Sequence, residues 1–299
     1  MLAVKAVWSM NNSYKEITED LQKTVELVFK EEEFEQLLAY SFGEFSGLIE
    51  PVIIKEKRDF ESKKIVFTED AYPMLSKYLL KNRDIRQAVV AKPCDTRAIA
   101  FYISENIIDR DNLIIIGING CPGIKENTAC DECDTKNPVI ADYFVGEPLD
   151  ESEFAKEIEE IEYLLSDETA EKRKKHYSEE FSRCTQCYAC RDACPVCYCD
   201  HCFVESNQPI WLEDGSDPEE DMVFHLMRTM HMPGRCVNCG ACEMACPEGI
   251  EMRSLTSHLY HQARRYFDYR PGLKIDQLSL FSDYNEEDPE PGFLQQEGD

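Results

Sequence analysis

Residues 184–195 (CTQCYACRDACP) and residues 236–247 (CVNCGACEMACP) are two copies of one pattern, C-x-x-C-x-x-C-x-x-x-C-P. The first copy supplies Cys184, Cys187, Cys190 and Cys194 ahead of Pro195, and the second supplies Cys236, Cys239, Cys242 and Cys246 ahead of Pro247. An isolated C-x-x-C is compatible with many chemistries. Two complete runs with the proline in place are not a chance arrangement, and they make electron transfer the starting hypothesis.

This is the run by which bacterial two-cluster ferredoxins hold a pair of 4Fe-4S clusters, with the fourth cysteine of each run serving the other cluster. Three cysteines at spacing three wrap one corner of a cluster with a short loop. The fourth lies beyond a helical turn and points away, and the following proline removes a backbone donor and stops the helix. Cys184, Cys187, Cys190 and Cys246 are therefore assigned to one cluster, and Cys236, Cys239, Cys242 and Cys194 to the second. Zinc also uses C-x-x-C pairs, but a tetrahedral zinc site gives no reason to repeat the whole run. Cys190, Cys194 and Cys197 also read C-x-x-x-C-x-x-C, the spacing of radical-SAM enzymes, yet the first two are already committed to the longer pattern.

The chain holds 15 cysteines among 299 residues. An odd count and the lack of an export signal at the N-terminus oppose a disulfide scaffold and favour thiolates as metal ligands in a reducing cytoplasmic setting. The formal charge of −27 argues against nucleic acid as a partner, because phosphate binding draws on clustered Lys and Arg. No apolar run is long enough for a membrane span, and none is expected. The same acidity pushes cluster potentials downward, because it raises the cost of adding an electron.

Residues 1–146 alternate strand-like and helix-like segments and are expected to form an α/β domain with a mostly parallel sheet. Residues 22–40 carry two apolar sets at helical spacing (Val25, Val28, Phe29, then Phe34, Leu37, Leu38). Residues 48–55, 64–67, 87–91 and 113–116 read as strands, and residues 71–80 and 95–104 as helices. Residues 147–180 form a charged helical linker, with Asp150 and Glu153 spaced as a capping box and an apolar stripe through Phe154, Ile158, Ile161 and Leu164 or Leu165. Residues 181–266 are read as a two-cluster ferredoxin-like α+β domain with an insertion, in which residues 218–232 are helical. Residues 267–299 are an acidic tail.

Seven cysteines lie outside the paired runs. Cys94 falls where a strand gives way to a helix, which biases a thiol toward thiolate. Cys121 takes the matching place after the next strand, and Cys130 and Cys133 follow as a C-x-x-C pair. Neighbouring parallel strands would bring Cys94 and Cys121 to the same end of the sheet. Four such thiolates suffice for a third cluster, with zinc or unliganded thiols as the alternatives. Gly117, Gly120 and Gly123 could admit a phosphate or flavin, but they do not match a dinucleotide fingerprint. Cys197, Cys199 and Cys202 could ligate a further metal, shield the first cluster or donate hydrogen bonds to it. His201 reads as a solvated or capping residue.

The series Lys92-Pro93-Cys94-Asp95, Ile116 through Cys121, the Cys130–Cys133 pair, and Cys184 through Cys199 followed by Trp211 resembles the beta subunits of deazaflavin (coenzyme F420) hydrogenases and formate dehydrogenases. It also resembles the iron-sulfur subunits of sulfhydrogenase and of anaerobic sulfite reductase. The likeness covers roughly residues 85–265. It implies an electron-conducting subunit inside a larger anaerobic oxidoreductase, beside a flavoprotein, a hydrogenase, a formate dehydrogenase or a heterodisulfide-reductase-like partner. Deazaflavin-branch members carry FAD. Here the clusters follow the α/β domain and no clear flavin motif is present, so FAD is doubtful, as is a private catalytic site. The alternative is a flavin-containing reductase subunit that reduces a nicotinamide or deazaflavin; a third reading is a redox sensor or scaffold with structural clusters.

Overall fold

The computed structural model describes residues 12–43, 48–55, 64–125, 127–150, 169–206, 209–210, 212, 217–282 and 287. The chain divides into two compact units. One comprises Met1–Thr96 with Ile108–Ala155, and the other Arg97–Ile107 with Lys156–Asp299.

The first unit is built on a five-stranded sheet in the order β2-β1-β3-β4-β5. Its strands are β1 (Gln36–Phe42), β2 (Ile49–Ile54), β3 (Gln87–Ala91), β4 (Leu113–Ile118) and β5 (Tyr143–Val145). Pairing is parallel from β1 through β3 and β4 to β5, with Ala88 opposite Ile114 and Ile116 opposite Tyr143, whereas β2 pairs antiparallel to β1 at the edge. Every residue of β3 and β4 is buried, as expected of central parallel strands covered on both faces. Helix α1 (Asn12–Glu31) contributes Tyr14, Ile17, Leu21, Val25 and Val28 as a buried stripe at helical spacing.

Three sequence expectations change here. The apolar set Phe34, Leu37 and Leu38 does not continue the helix. The chain leaves α1 at Glu31, and residues 37–40 are buried throughout a strand. Such a continuous apolar run has no period to distinguish helix from strand. Residues 64–67 make a single bridge, Ser41 to Ile65, instead of a strand. The Val66 N–H donates to the Tyr40 carbonyl at 3.0 Å, and groups of Ile65 and Phe67 are satisfied by side chains of α1. Phe67 N–H donates to Thr18 Oγ1 at 3.0 Å, the Thr18 hydroxyl donates to the Phe67 carbonyl at 2.9 Å, and Gln22 Nε2 donates to the Ile65 carbonyl at 2.9 Å. Finally, of residues 71–80 only Ser76–Leu79 form helix α2, since Pro73 interrupts the segment before it.

At the junction of β3 and helix α3 (Pro93–Ser104) sits a buried charge. Lys92 is 2 % exposed. Its Nζ donates to the carbonyls of Ala71 at 2.9 Å and Pro73 at 2.7 Å and to the Tyr40 hydroxyl, and it lies 3.4 Å from Asp95 Oδ2. Asp95 Oδ1 in turn accepts from the Ser76 N–H at 2.9 Å and hydroxyl at 2.7 Å. Burial opposes the lysine's charge, but Tyr40 and Asp95 outweigh it and the pKa is raised.

In the second unit the elements are α4 (Ala170–Phe181), α5 (Ala189–Ala193), α6 (Pro218–Met230), α7 (Ala241–Met244) and α8 (Arg253–Phe267). Among the described residues this unit has helices and loops and no named strand, so the expected α+β character is seen there only as α. Asp217 caps α6 by accepting from the Glu219 N–H at 2.8 Å, with Pro218 at the first turn. The capping pair and apolar stripe expected around residues 150–165 lie outside the described residues. Phe181, Leu212, Phe224, Ile250 and Met252 form the core, into which Cys190 packs. Arg97 fastens the segment after α8, donating to the Pro271 carbonyl from Nε at 3.1 Å and Nη2 at 2.8 Å. At Gly272, with φ +70°, a Cβ would collide with the Arg97 carbonyl. Among the described residues, no helix is long and apolar enough to cross a membrane.

Two stability outcomes follow from these packed charges and backbones. Lys92→Met leaves Asp95 buried without its cation and is expected to cost about 3–5 kcal/mol, read as a lower urea midpoint by circular dichroism; an unchanged midpoint would show that the network adds nothing. Gly272→Ala combines a left-handed backbone with a direct clash, so it is expected to cost about 2 kcal/mol or more. Retention of the parental thermal midpoint would contradict that.

Candidate metal centre

The two cysteine runs fold as structural copies, with each residue of the second lying 52 positions after its counterpart in the first. Gln186 and Asn238 adopt φ of 50° and 53°, and Tyr188 and Gly240 φ of 57° and 74°. These left-handed residues turn the chain sharply between cysteines, so that the three thiols of each loop face one volume. The Gln186 N–H donates to Cys184 Sγ and the Asn238 N–H to Cys236 Sγ, both at 3.4 Å. After each fourth cysteine the chain turns alike: Cys197 N–H donates to the Cys194 carbonyl and Gly249 N–H to the Cys246 carbonyl, both at 3.3 Å. The second copy uses glycine where the first uses Tyr188, whose ring packs against Phe224 at 5.3 Å and under Arg191. Those contacts offset the left-handed strain, which costs roughly 1–2 kcal/mol.

Each fourth cysteine lies near the other loop. Cys184, Cys187, Cys190 and Cys246 line one cavity, closed by Phe224, Ile250 and Met252 among other residues. Cys246 acts electrostatically on Cys190, as do Cys187 and Arg228. Cys194, by contrast, acts on Cys236, Cys239 and Cys242. Helices α5 and α7, which carry the third cysteine of each loop, pack on each other. This exchange makes the two sites one structural object.

Burial dominates the protonation of these thiols. It pushes Cys184 up to about 11 and Cys242 up to about 12, and raises Cys190, Cys236 and Cys239. Backbone N–H groups at Cys184, Cys236 and Cys239 work in the opposite direction. An apolar enclosure of four thiols favours thiolate only when a cation enters it, which is the requirement of a metal cluster. Among the described residues, no three His, Cys, Asp or Glu side chains are gathered tightly enough to hold one metal ion. A ring of four thiols around a cavity suits a cluster of several irons better.

In the first unit, Cys121 follows β4 and is buried; burial pushes it up to about 11. Cys130 and Cys133 lie within its electrostatic reach and within each other's. Cys130 Sγ accepts from the Ile124 N–H at 3.3 Å, and the Cys133 thiol donates to the Thr135 carbonyl at 3.2 Å. Cys94 stands in the first turn of α3, 3.7 Å from Met74 Sδ and within reach of Lys92, whose charge also reaches Cys130. The neighbouring glycines are occupied by packing. A Cβ on Gly117 would meet Pro138 at 2.7 Å, one on Gly120 the Glu147 carbonyl at 2.5 Å, and one on Gly123 the Cys130 side chain at 3.2 Å.

Of the residues after Cys194, Pro195 and Tyr198 are held in packing contacts. Tyr198 lies between Phe101 and Tyr102, with ring centroids 6.3 Å from each, and beneath Arg235. The Tyr102 hydroxyl donates to the Pro195 carbonyl at 2.5 Å. Cys202 caps a short 3-10 helix, and Cys199 is exposed. His201 is exposed and lies 3.8 Å from Glu205. Sequence reasoning did not single out Arg228, a 4 % exposed cation on α6 within reach of Cys190, Cys194, Cys197 and Cys242. Its only signal was a base in the second half of that helix, among Phe224, Leu226, Met227 and Met230.

Residues 180–250 match the family model described as a 4Fe-4S dicluster domain. The chain is 32% identical over 135 residues to the F420-dependent formate dehydrogenase subunit beta of Methanocaldococcus jannaschii, covering 42% of this chain and 35% of that protein. It is 34% identical over 97 residues to the F420-dependent formate dehydrogenase 1 subunit beta of Methanococcus maripaludis, covering 32% of this chain and 24% of the relative. The chain thus matches about a third or less of the length of these curated relatives. The apolar cavity ringed by four thiols and the second quartet that shares its fourth cysteine suit the two clusters that such a domain holds. Residues 180–250 are thus similar to a 4Fe-4S dicluster domain, and part of the chain is similar to the beta subunits of F420-dependent formate dehydrogenases.

Proposed function

We propose that this chain is an electron-transfer subunit of an oxidoreductase complex, passing electrons between partner subunits through its clusters. The observation that supports this best is the exchange of Cys194 and Cys246 between the two loops, because it draws two redox centres close together inside one fold. Cys184, Cys187, Cys190 and Cys246 hold one cluster, and Cys236, Cys239, Cys242 and Cys194 the other. Each cluster, when bound, takes up and releases one electron at a time.

The protein's own groups set the conditions. Phe224, Ile250 and Met252 give the first site an apolar wall, while the N–H groups of Gln186, Asn238 and Ile250 donate to Cys184, Cys236 and Cys246 at 3.4 Å. Donation of this kind stabilises negative charge on sulfur and tunes potential. Cys187 is the exposed member of the first quartet, so electrons enter or leave the dicluster on that side. In the first unit, Cys94, Cys121, Cys130 and Cys133 hold a third cluster, supported by the mutual electrostatic reach of the last three. The partners are subunits of a redox complex of the kind the formate dehydrogenase relatives belong to.

Anaerobic reconstitution with iron and sulfide is expected to load about four irons per cluster, with low-potential paramagnetic signals on reduction. Cys187→Ala should remove one cluster's share and leave the rest, and Cys121→Ser should remove the third cluster alone. A chain that takes up zinc and no labile sulfide would overturn the electron-transfer reading. An iron count unchanged in Cys121→Ser would remove the third site.

A further inference from the structure

Among the described residues, no carboxylate side chain pairs with the charge of Arg228. Its Nη2 donates to the Cys190 carbonyl at 3.1 Å and its Nη1 lies 3.6 Å from Met252 Sδ, while Nε has no hydrogen-bond partner. No carboxylate forms an ion pair with it among the described residues. The buried carboxylate on the same helix, Asp221, lies two turns away and is engaged by Gln186 Nε2 at 2.9 Å. His225, stacked on Phe181 at 4.3 Å, is held neutral, with a pKa of about 4, by burial first and then by Arg228. A guanidinium remains charged in any such environment, and an unpaired buried charge is strongly unfavourable. The groups that do reach it are sulfurs of both quartets: Cys190 from the first, and Cys194 and Cys242 from the second. A cluster bound by four thiolates is an anion, and each reduction adds one negative charge.

We propose that Arg228 is a positioning residue whose guanidinium is the shared counter-charge of the two clusters, raising both of their potentials and offsetting the pull of an acidic chain. This rests on the two-cluster reading above. Because sulfurs of both quartets lie within its reach, the cation favours the reduced form of each cluster.

The test is a redox titration followed by EPR on the full chain, loaded anaerobically, comparing wild type with R228Q and R228K. Iron and sulfide are counted first, and a wild-type chain without two clusters overturns the dicluster reading, whatever Arg228 does. With both clusters loaded, R228Q is expected to lower both midpoint potentials, and R228K to bring both back toward wild type. Potentials that stay in place in loaded R228Q, or a shift confined to one cluster, would overturn the proposal. If R228Q loses iron, R228K decides: two clusters at potentials near wild type support a role for the charge, whereas the same loss in R228K shows that the shape of the side chain matters and overturns it.

Discussion

The exchange of one cysteine between two otherwise self-contained loops is the constraint on which the second unit depends. Each loop can fold its first three thiols around a volume with only left-handed residues and a short helix to help. Neither loop can complete a quartet alone. Helices α5 and α7 pack together, so the grouping of the thiols and the tertiary fold of the unit are linked. That coupling is the common condition of small metal-dependent domains, in which binding energy is folding energy.

Enclosure is the second consequence. Apolar walls hold the thiols protonated in the absence of metal, and the same walls strengthen every electrostatic interaction once thiolates form. Within such walls a single guanidinium on α6 counts for more than many surface carboxylates, whose field is screened by solvent. The first unit uses a comparable device, with Lys92 balanced by Asp95 and Tyr40 beside the turn that carries Cys94. In the first unit the counter-charge is a side chain, and for Arg228 we propose that it is the pair of clusters.

The glycine-rich turn after β4 shows how packing can take over a feature that looks like a ligand cradle. Gly117, Gly120 and Gly123 are needed because Pro138, Glu147 and Cys130 come so close. Likewise, Tyr198, in the run after Cys194, is a packing residue, set against Phe101, Tyr102 and Arg235.

The sequence by itself determined the chemistry of the second unit and the class of the first. Ligand spacing is local, so C-x-x-C-x-x-C-x-x-x-C-P identified an iron-sulfur module without any fold, and buried β-branched runs such as residues 113–116 marked the parallel strands. Tertiary structure decided what local pattern cannot encode. Residues 37–40 became strand because a continuous apolar run carries no period, and residues 64–67 were drawn to Thr18 and Gln22 of a distant helix. Arg228 gained its meaning only when folding buried it with no paired carboxylate among the described residues, because the charge balance of a residue depends on what surrounds it in space, not in sequence.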